Sequence, residues 1–333
     1  MASGSGPGPD EFETIARLLR PLATAPEALG LADDAAAIPS RPGFDLVVSK
    51  DAMVAGVHFL DGDPLDLVAR KLIRTNLSDL AAKAAEPYGY FLAVAWPAGS
   101  GWPERERFAA GLKADQDLYG LTLLGGDTVS TPGPLTLSLT ILGWTPSGAM
   151  IRRSGARPGE KVLVSGTIGD GWLGLGAARG ELEGVLPSAA AEWLAGRYRL
   201  PEPRLELRDA LRARAGAAAD VSDGLIADAG HIAEASGVRL RLDLERLPVS
   251  EPARVWLQRQ PDRAGALAAL AVGGDDYEIV LTCAPAHVAP LIAEAEAAGL
   301  ALTEIGEAVE GQGVSVEHGG RELEIARTGW RHS

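Results

Sequence analysis

Cysteine is almost missing from this chain. Cys283 is the only one in 333 residues, so no intrachain disulfide can form and no thiolate zinc site can be assembled. It stands in the apolar run YEIVLTCAP, where a thiol behaves as a small buried hydrophobe, and redox chemistry finds no support. Histidine is scarce as well. The five present, His58, His231, His287, His318 and His332, show no ligand spacing, and there is no HExxH. Neither GxxxxGK[ST] nor GxSxG occurs, which excludes a Walker-type nucleotide loop and a nucleophile elbow. No DxDxDG calcium loop is present, and no run reaches the roughly 18 apolar residues of a membrane span. Positive charge is in deficit, with 31 Lys and Arg against 45 Asp and Glu and a net charge of −14. That balance argues against partnership with nucleic acid or with an anionic membrane. An acidic protein that binds nucleotides would recruit cations to do so. The opening MASGSGPGPD lacks the basic and apolar regions of a signal peptide and reads as a flexible tail over residues 1–10, so the expected location is cytoplasmic.

The rest of the chain carries alternating strand and helix patterns. FDLVVSKDAM (44–53) and YGYFLAVAWP read as strands, as do LTLLGG and PLTLSLTILGW; helices are expected over 64–85 and 103–120. After the Gly-, Pro- and Ser-rich TPSGAMIRRSGARPGE, strands KVLVSG, AAADVS, VRLRLDL and YEIVLTC alternate with helices, including one over 224–236. The expectation is α/β (α+β) with two α/β domains, residues 11–148 and 149–333. GDGWLG (169–174) matches GxGxxG, but no second strand with an acidic end follows at the required distance. Its glycines fit a tight strand-to-helix turn or close helix packing better than a dinucleotide site. A phosphate at the helix N-terminus remains open.

The informative feature is where the aspartates fall. Asp33 and Asp34 sit in LGLADDAAAI, Asp51 beside the strand LVVS, Asp79 late in a helix and Asp127 after two glycines. Asp220 and Asp223 flank Ser222 in ADVSDGLIADAGHI, where a strand meets a helix. Singly, each has an ordinary explanation: Ser222 or Asp223 as an N-cap, Asp127 closing a strand in a turn. Jointly, short oxygen donors at several strand ends suit hard Mg²⁺ ions joined to substrate phosphates, in a cleft between domains.

Eight segments, ADDAA, SKDAMVAGVHF, NLSDLAA, GGDT, RRSGARPGE, DVSDGLIADAGHI, GGDDYEI and the terminal GWRH, occur in this order. In that ordered set the chain resembles the thiamine-monophosphate kinases of the aminoimidazole ribonucleotide synthetase superfamily, from about residue 11 to 330. The resemblance implies transfer of the γ-phosphoryl of ATP to thiamine monophosphate. It implies several Mg²⁺ ions held by Asp34, Ser49, Asp51, Asp79, Asp127, Asp220 and Asp223. Gly126, Asp127, Arg153 and Ser222 match ATP-contacting positions, and His58, Asp275 and Trp330 match positions that contact thiamine monophosphate. It further implies an N-terminal domain that binds metal and ATP, and a homodimer paired through the N-terminal sheets. No general base is implied, because the acceptor phosphate oxygen is already ionised near neutral pH; the metal cluster and Arg153 stabilise transfer. The chain departs from the family pattern in four places. Ala32 and the AAKAAEP segment (81–87) lack glycines, Lys50 replaces Thr beside Asp51, and Asp275 replaces Glu. A catalytically weakened relative and a related synthetase are the alternatives.

Overall fold

The computed structural model describes residues 9–325 and 329. The flexible tail expected over 1–10 falls largely on residues 1–8, and Trp330 lies beyond 325; both lie outside the described residues. The chain forms two compact units, one of residues 1–80 and 86–148, the other of 81–85 and 149–333.

The first unit begins with the short α1 (Glu11–Thr14) and is built on strands β1 (Phe44–Val54), β2 (Glu86–Pro97), β3 (Leu123–Thr131) and β4 (Thr136–Pro146). Their order is β1-β4-β2-β3; β2 and β3 run parallel and the other neighbours antiparallel. One face is covered by helices α2 (Leu65–Ala82) and α3 (Trp102–Tyr119). Residues Val68, Leu72, Ile73, Leu77 and Leu80 of α2 recur at helical spacing and are buried, as is a period-two set, Leu137, Leu139 and Ile141 of β4. Trp96 packs edge-on to Phe108 of α3 at 5.5 Å. The two helices approach closely at Gly111, where a methyl would stand 2.2 Å from the Asp66 carbonyl oxygen.

The second unit carries seven strands in the order β11-β10-β7-β9-β5-β8-β6. They are β5 (Lys161–Ser165), β6 (Ala215–Val221), β7 (Arg239–Asp243), β8 (Glu278–Cys283), β9 (Leu302–Val309), β10 (Gly313–His318) and β11 (Arg321–Glu322). Its helices are α4 (Asp170–Ala178), α5 (Ser188–Arg199), α6 (Arg208–Arg214), α7 (Leu225–Ser236), α8 (Glu251–Leu257), α9 (Arg263–Val272) and α10 (Pro285–Ala297). Strands β5, β6 and β8 read as unbroken apolar runs because both their faces are covered. Val162, Ala219 and Val280 pack with α7 and α9, while Leu163, Ala218, Leu281 and Cys283 pack with α6 and α10. Cys283 is fully buried, and that burial pushes its thiol up to about 11, the inert state expected of it.

The GxGxxG segment is not a dinucleotide fingerprint. Strand β5 is antiparallel to both neighbours, β8 and β9, so no parallel βαβ unit follows from it. The glycines serve close approach: a methyl on Gly171 would stand 2.2 Å from the Asp275 carbonyl oxygen, and one on Gly174 2.2 Å from that of Leu194. The N–H groups left open for a phosphate at this helix N-terminus are taken by a resident side chain instead. The buried Asp276 carboxylate accepts the Gly169 and Gly171 N–H groups, both at 2.8 Å. Burial holds its ionisation well above the usual carboxylate range.

Candidate functional site

In the first unit the pleat of β1 sorts its polar residues. Val47 and Met53 are buried, and Ser49 and Asp51 share their face; Leu46, Val48, Lys50 and Ala52 are exposed on the other. The Ser49 hydroxyl donates to Asp79 Oδ2 of α2 at 2.5 Å, which fixes the helix carboxylate over the strand. Burial, with the Asp79 charge second, raises Asp51 to about 6. Ser49, Asp51 and Asp79 therefore form one group of oxygen donors. Lys50, next to Asp51 in sequence, faces the opposite side of the sheet.

Asp127 does not end a strand: β3 continues through it to Thr131, pairing Asp127 with Ala93. The register row Ala52, Ser138, Ala93, Asp127 lies on the exposed face, whereas Asp51 belongs to the row Asp51, Leu139, Leu92, Gly126. Asp127 thus shares a face with Lys50. Gly126 is obligatory: its φ is +155°, and a methyl there would overlap the Leu92 carbonyl oxygen at 1.8 Å. Asp34 lies on an exposed bend, its N–H bonded to Asp33 at 2.8 Å. The bend follows Leu29, Gly30 and Leu31, all with positive φ, while Ala32 has φ −110° and needs no glycine. Of the glycine-poor segments, AAKAAEP bears the strain, since buried Ala84 has φ +55°. His58 sits in the turn after β1, where its Nδ1 accepts the Val54 N–H at 3.0 Å, placing the ring proton of neutral imidazole on Nε2.

In the second unit the strand-to-helix junction gathers most of the expected positions. Asp220, 4% exposed, ends β6 with Val221. Neither Ser222 nor Asp223 caps α7; its N-cap is Gly224 at φ +121°. The turn is held from inside by Asp228, whose Oδ2 accepts the N–H groups of Ser222 at 3.0 Å and Asp223 at 3.1 Å. Burial, reinforced by Asp223, raises Asp228 to about 7. The neighbouring Arg153 charge opposes that rise, and its loop is fixed to the end of α7 by the Ser236 hydroxyl, which donates to Arg153 O at 3.1 Å. Asp275 joins the same place, its N–H bonded to Ser222 O at 2.9 Å and its carboxylate accepting from the Tyr277 hydroxyl at 3.1 Å. Both Asp275 and Tyr277 have positive φ, 69° and 52°, a strained loop around the buried Asp276. Gly329 passes against the same turn, where a methyl would stand 2.7 Å from Asp223 O.

The structure therefore brings together Ser49, Asp51 and Asp79 in one unit, and Arg153, Ser222, Asp223 and Asp275 in the other. The residues that sequence reasoning passed over are Asp228, Asp276 and His231. Each lies within three residues of a noticed position or in the quoted motif, but their burial and partners are long-range properties.

Two family models match the chain: the AIR synthase related protein N-terminal domain over residues 32–145 and the C-terminal domain over 157–319. The thiamine-monophosphate kinase of Caulobacter vibrioides is 60% identical over 325 residues, 97% of this chain and 91% of the relative. The crystal structure of thiamine-monophosphate kinase from Stenotrophomonas maltophilia superposes with a TM-score of 0.80 at 39% identity, covering 92% of this chain and 95% of that one. AaThiL complexed with AMPPCP and TMP superposes with a TM-score of 0.78 at 29% identity, covering 90% and 91%. The chain belongs to the thiamine-monophosphate kinase family.

Proposed function

We propose that this chain moves the γ-phosphoryl group of ATP onto thiamine monophosphate, yielding thiamine diphosphate and ADP. The observation that carries the reading is the relative complexed with both AMPPCP and TMP, whose fold this chain shares over nine-tenths of its length. The acceptor is a phosphate oxygen, so the protein has no proton to remove from it. Its tasks are alignment and charge compensation.

In the first unit Ser49, Asp51 and Asp79 fit Mg²⁺. They offer an all-oxygen donor set, and the suppressed ionisation of Asp51 beside Asp79 marks a carboxylate pair that a cation would relieve. When bound, Mg²⁺ supplies positive charge to the transferring phosphoryl oxygens. Asp34, Asp127, Asp220 and Asp223 are assigned to the same task by the family pattern. In the second unit Arg153 offers a guanidinium to phosphate, and the 222–224 turn held by Asp228 presents Ser222 to ATP; the family pattern assigns Gly126 and Asp127 to ATP as well. The family pattern assigns His58, Asp275 and Trp330 to thiamine monophosphate. Lys50 faces away from Asp51 and leaves the group of Ser49, Asp51 and Asp79 intact, while it shares a face with Asp127; the intact group supports an active enzyme over a decayed one.

We assign metal and ATP binding and dimerisation to residues 11–148. An exposed edge strand bearing Leu46 (40% exposed) and Val48 (55%) supports a homodimer paired through the N-terminal sheets. Among the described residues no helix is long and apolar enough to cross a membrane, and the assigned location is the cytoplasm.

The test is chromatography of products after incubation with ATP, Mg²⁺ and thiamine monophosphate. Thiamine diphosphate should form in step with ADP, and Asp220→Asn should lose at least about 100-fold in rate, on the order of 3 kcal/mol. ATP binding without thiamine diphosphate would refute the assignment.

A further inference from the structure

The three groups Asp223, Asp228 and His231 each offer a ligand atom, and these atoms all lie within 4.8 Å of one another. Their spacing follows from the fold. Asp228 and His231 stand three residues apart on α7, hence on one helix face, and Asp223 lies on the turn just before the helix. The turn cannot drift from the helix, because Asp228 Oδ2 accepts both the Ser222 and the Asp223 N–H.

That bonding leaves one atom without a role. Asp228 is 1% exposed, and its Oδ1 is buried with no hydrogen-bond partner. A buried carboxylate oxygen without a partner costs about 1–3 kcal/mol, and more when charged. Folding the protein with such an atom beside a second carboxylate and an imidazole is costly; the neighbouring Arg153 charge offsets the burial of Asp228 only in part, and nothing in the described hydrogen bonding fills the place of Oδ1. His231 is exposed, so the opening reaches solvent and a small ion can enter.

The geometry points to a divalent-cation site formed by Asp223, Asp228 and His231, whose mixed carboxylate–imidazole ligands take a first-row transition metal of the Co²⁺ or Zn²⁺ class in preference to Mg²⁺. Imidazole is the discriminating ligand: it suits the later transition metals, whereas Mg²⁺ keeps to oxygen and water. Three protein ligands leave a position for water or for an oxygen of a bound molecule. The inference shares with the functional reading Asp223 and Asp228, the latter as the residue that holds the 222–224 turn, and rests on a different ligand set. Ser49, Asp51 and Asp79 form an oxygen-only set for Mg²⁺; this set has different chemistry and a different preferred ion.

The experiment uses the full chain, Co²⁺ as the probe, and excess Mg²⁺ to fill oxygen-only sites, without ATP or thiamine monophosphate. Nitrogen-15 labelled histidine spectra report each imidazole, and the His231→Gln spectrum identifies the His231 signals. Expected is a paramagnetic shift of the His231 ring signals at the first equivalent of Co²⁺, and Co²⁺ affinity weakened about tenfold or more in His231→Gln. His231 signals unmoved while Co²⁺ binds elsewhere would overturn the site, as would equal affinity in the variant. Since Asp228→Ala also releases the 222–224 turn, the ring signal of the unaltered chain is decisive. Neither readout depends on turnover, so a chain that fails to make thiamine diphosphate still answers the question.

Discussion

Asp51 shows how a residue proposed as a metal ligand can carry a cost to folding. Its carboxyl is raised from 3.8 to about 6 by burial and by Asp79. The folded chain therefore holds the proton more tightly than the unfolded one, and this group favours folding at low pH. That favour is lost as pH rises from about 4 to about 6, and above both values the ionised group opposes folding. Two pKa units correspond to about 3 kcal/mol, and partial solvent access reduces this to the order of 1–2 kcal/mol. Asp51→Asn should thus raise the melting temperature of the metal-free chain at pH 8, by a few degrees, while abolishing transfer. A melting temperature unchanged or lowered at pH 8 would remove the electrostatic account. Ala84 is the opposite case. Its left-handed backbone carries a cost that glycine would spare, and its buried methyl group returns part of it among Ala81 and Ala82.

Elements meet around the Asp276 carboxylate, where the mouth of α4 is tied to the strained loop that carries Asp275. Gly171→Ala would drive a methyl to within 2.2 Å of the Asp275 carbonyl oxygen, and neither backbone can yield cheaply. The variant should lose about 1–3 kcal/mol of stability and show a raised KM for thiamine monophosphate. Thermal melts and initial rates at varied substrate check both; wild-type values in both would mean that the loop does not need this contact. Much at this scale was legible in the sequence. Helix α7 was expected over 224–236 and spans Leu225–Ser236, and β1 was expected over 44–53 and spans Phe44–Val54, because apolar periodicity and glycine punctuation are local signals. The sequence pattern ends β3 at its glycines because Gly-Gly-Asp-Thr has poor strand propensity. Its parallel pairing with β2 overrides that preference and carries Asp127 into the sheet. The face of each aspartate was not legible, since register is decided by a partner strand far along the chain. Asp228 was visible only as one more acid in a motif; its burial belongs to the folded unit.

For the whole molecule, assembly is the property most exposed to test. Leu46 and Val48 lie on the uncovered face of β1, a strand with one free edge. Light scattering of the wild-type chain at micromolar concentration should give the mass of two chains, and Val48→Glu should bring it to one. A monomeric wild type, or a variant that stays dimeric, would move the interface elsewhere or dismiss it.

The period-two pleat of β1 has a consequence for how such a strand tolerates change. Odd positions 49 and 51 answer to the oxygen-donor group, and even positions 46, 48, 50 and 52 answer to whatever covers the other face. The strand is two interleaved texts, each editable without disturbing its companion. A lysine written beside a proposed ligand in the one-dimensional order is, in three dimensions, a remark addressed to a different reader.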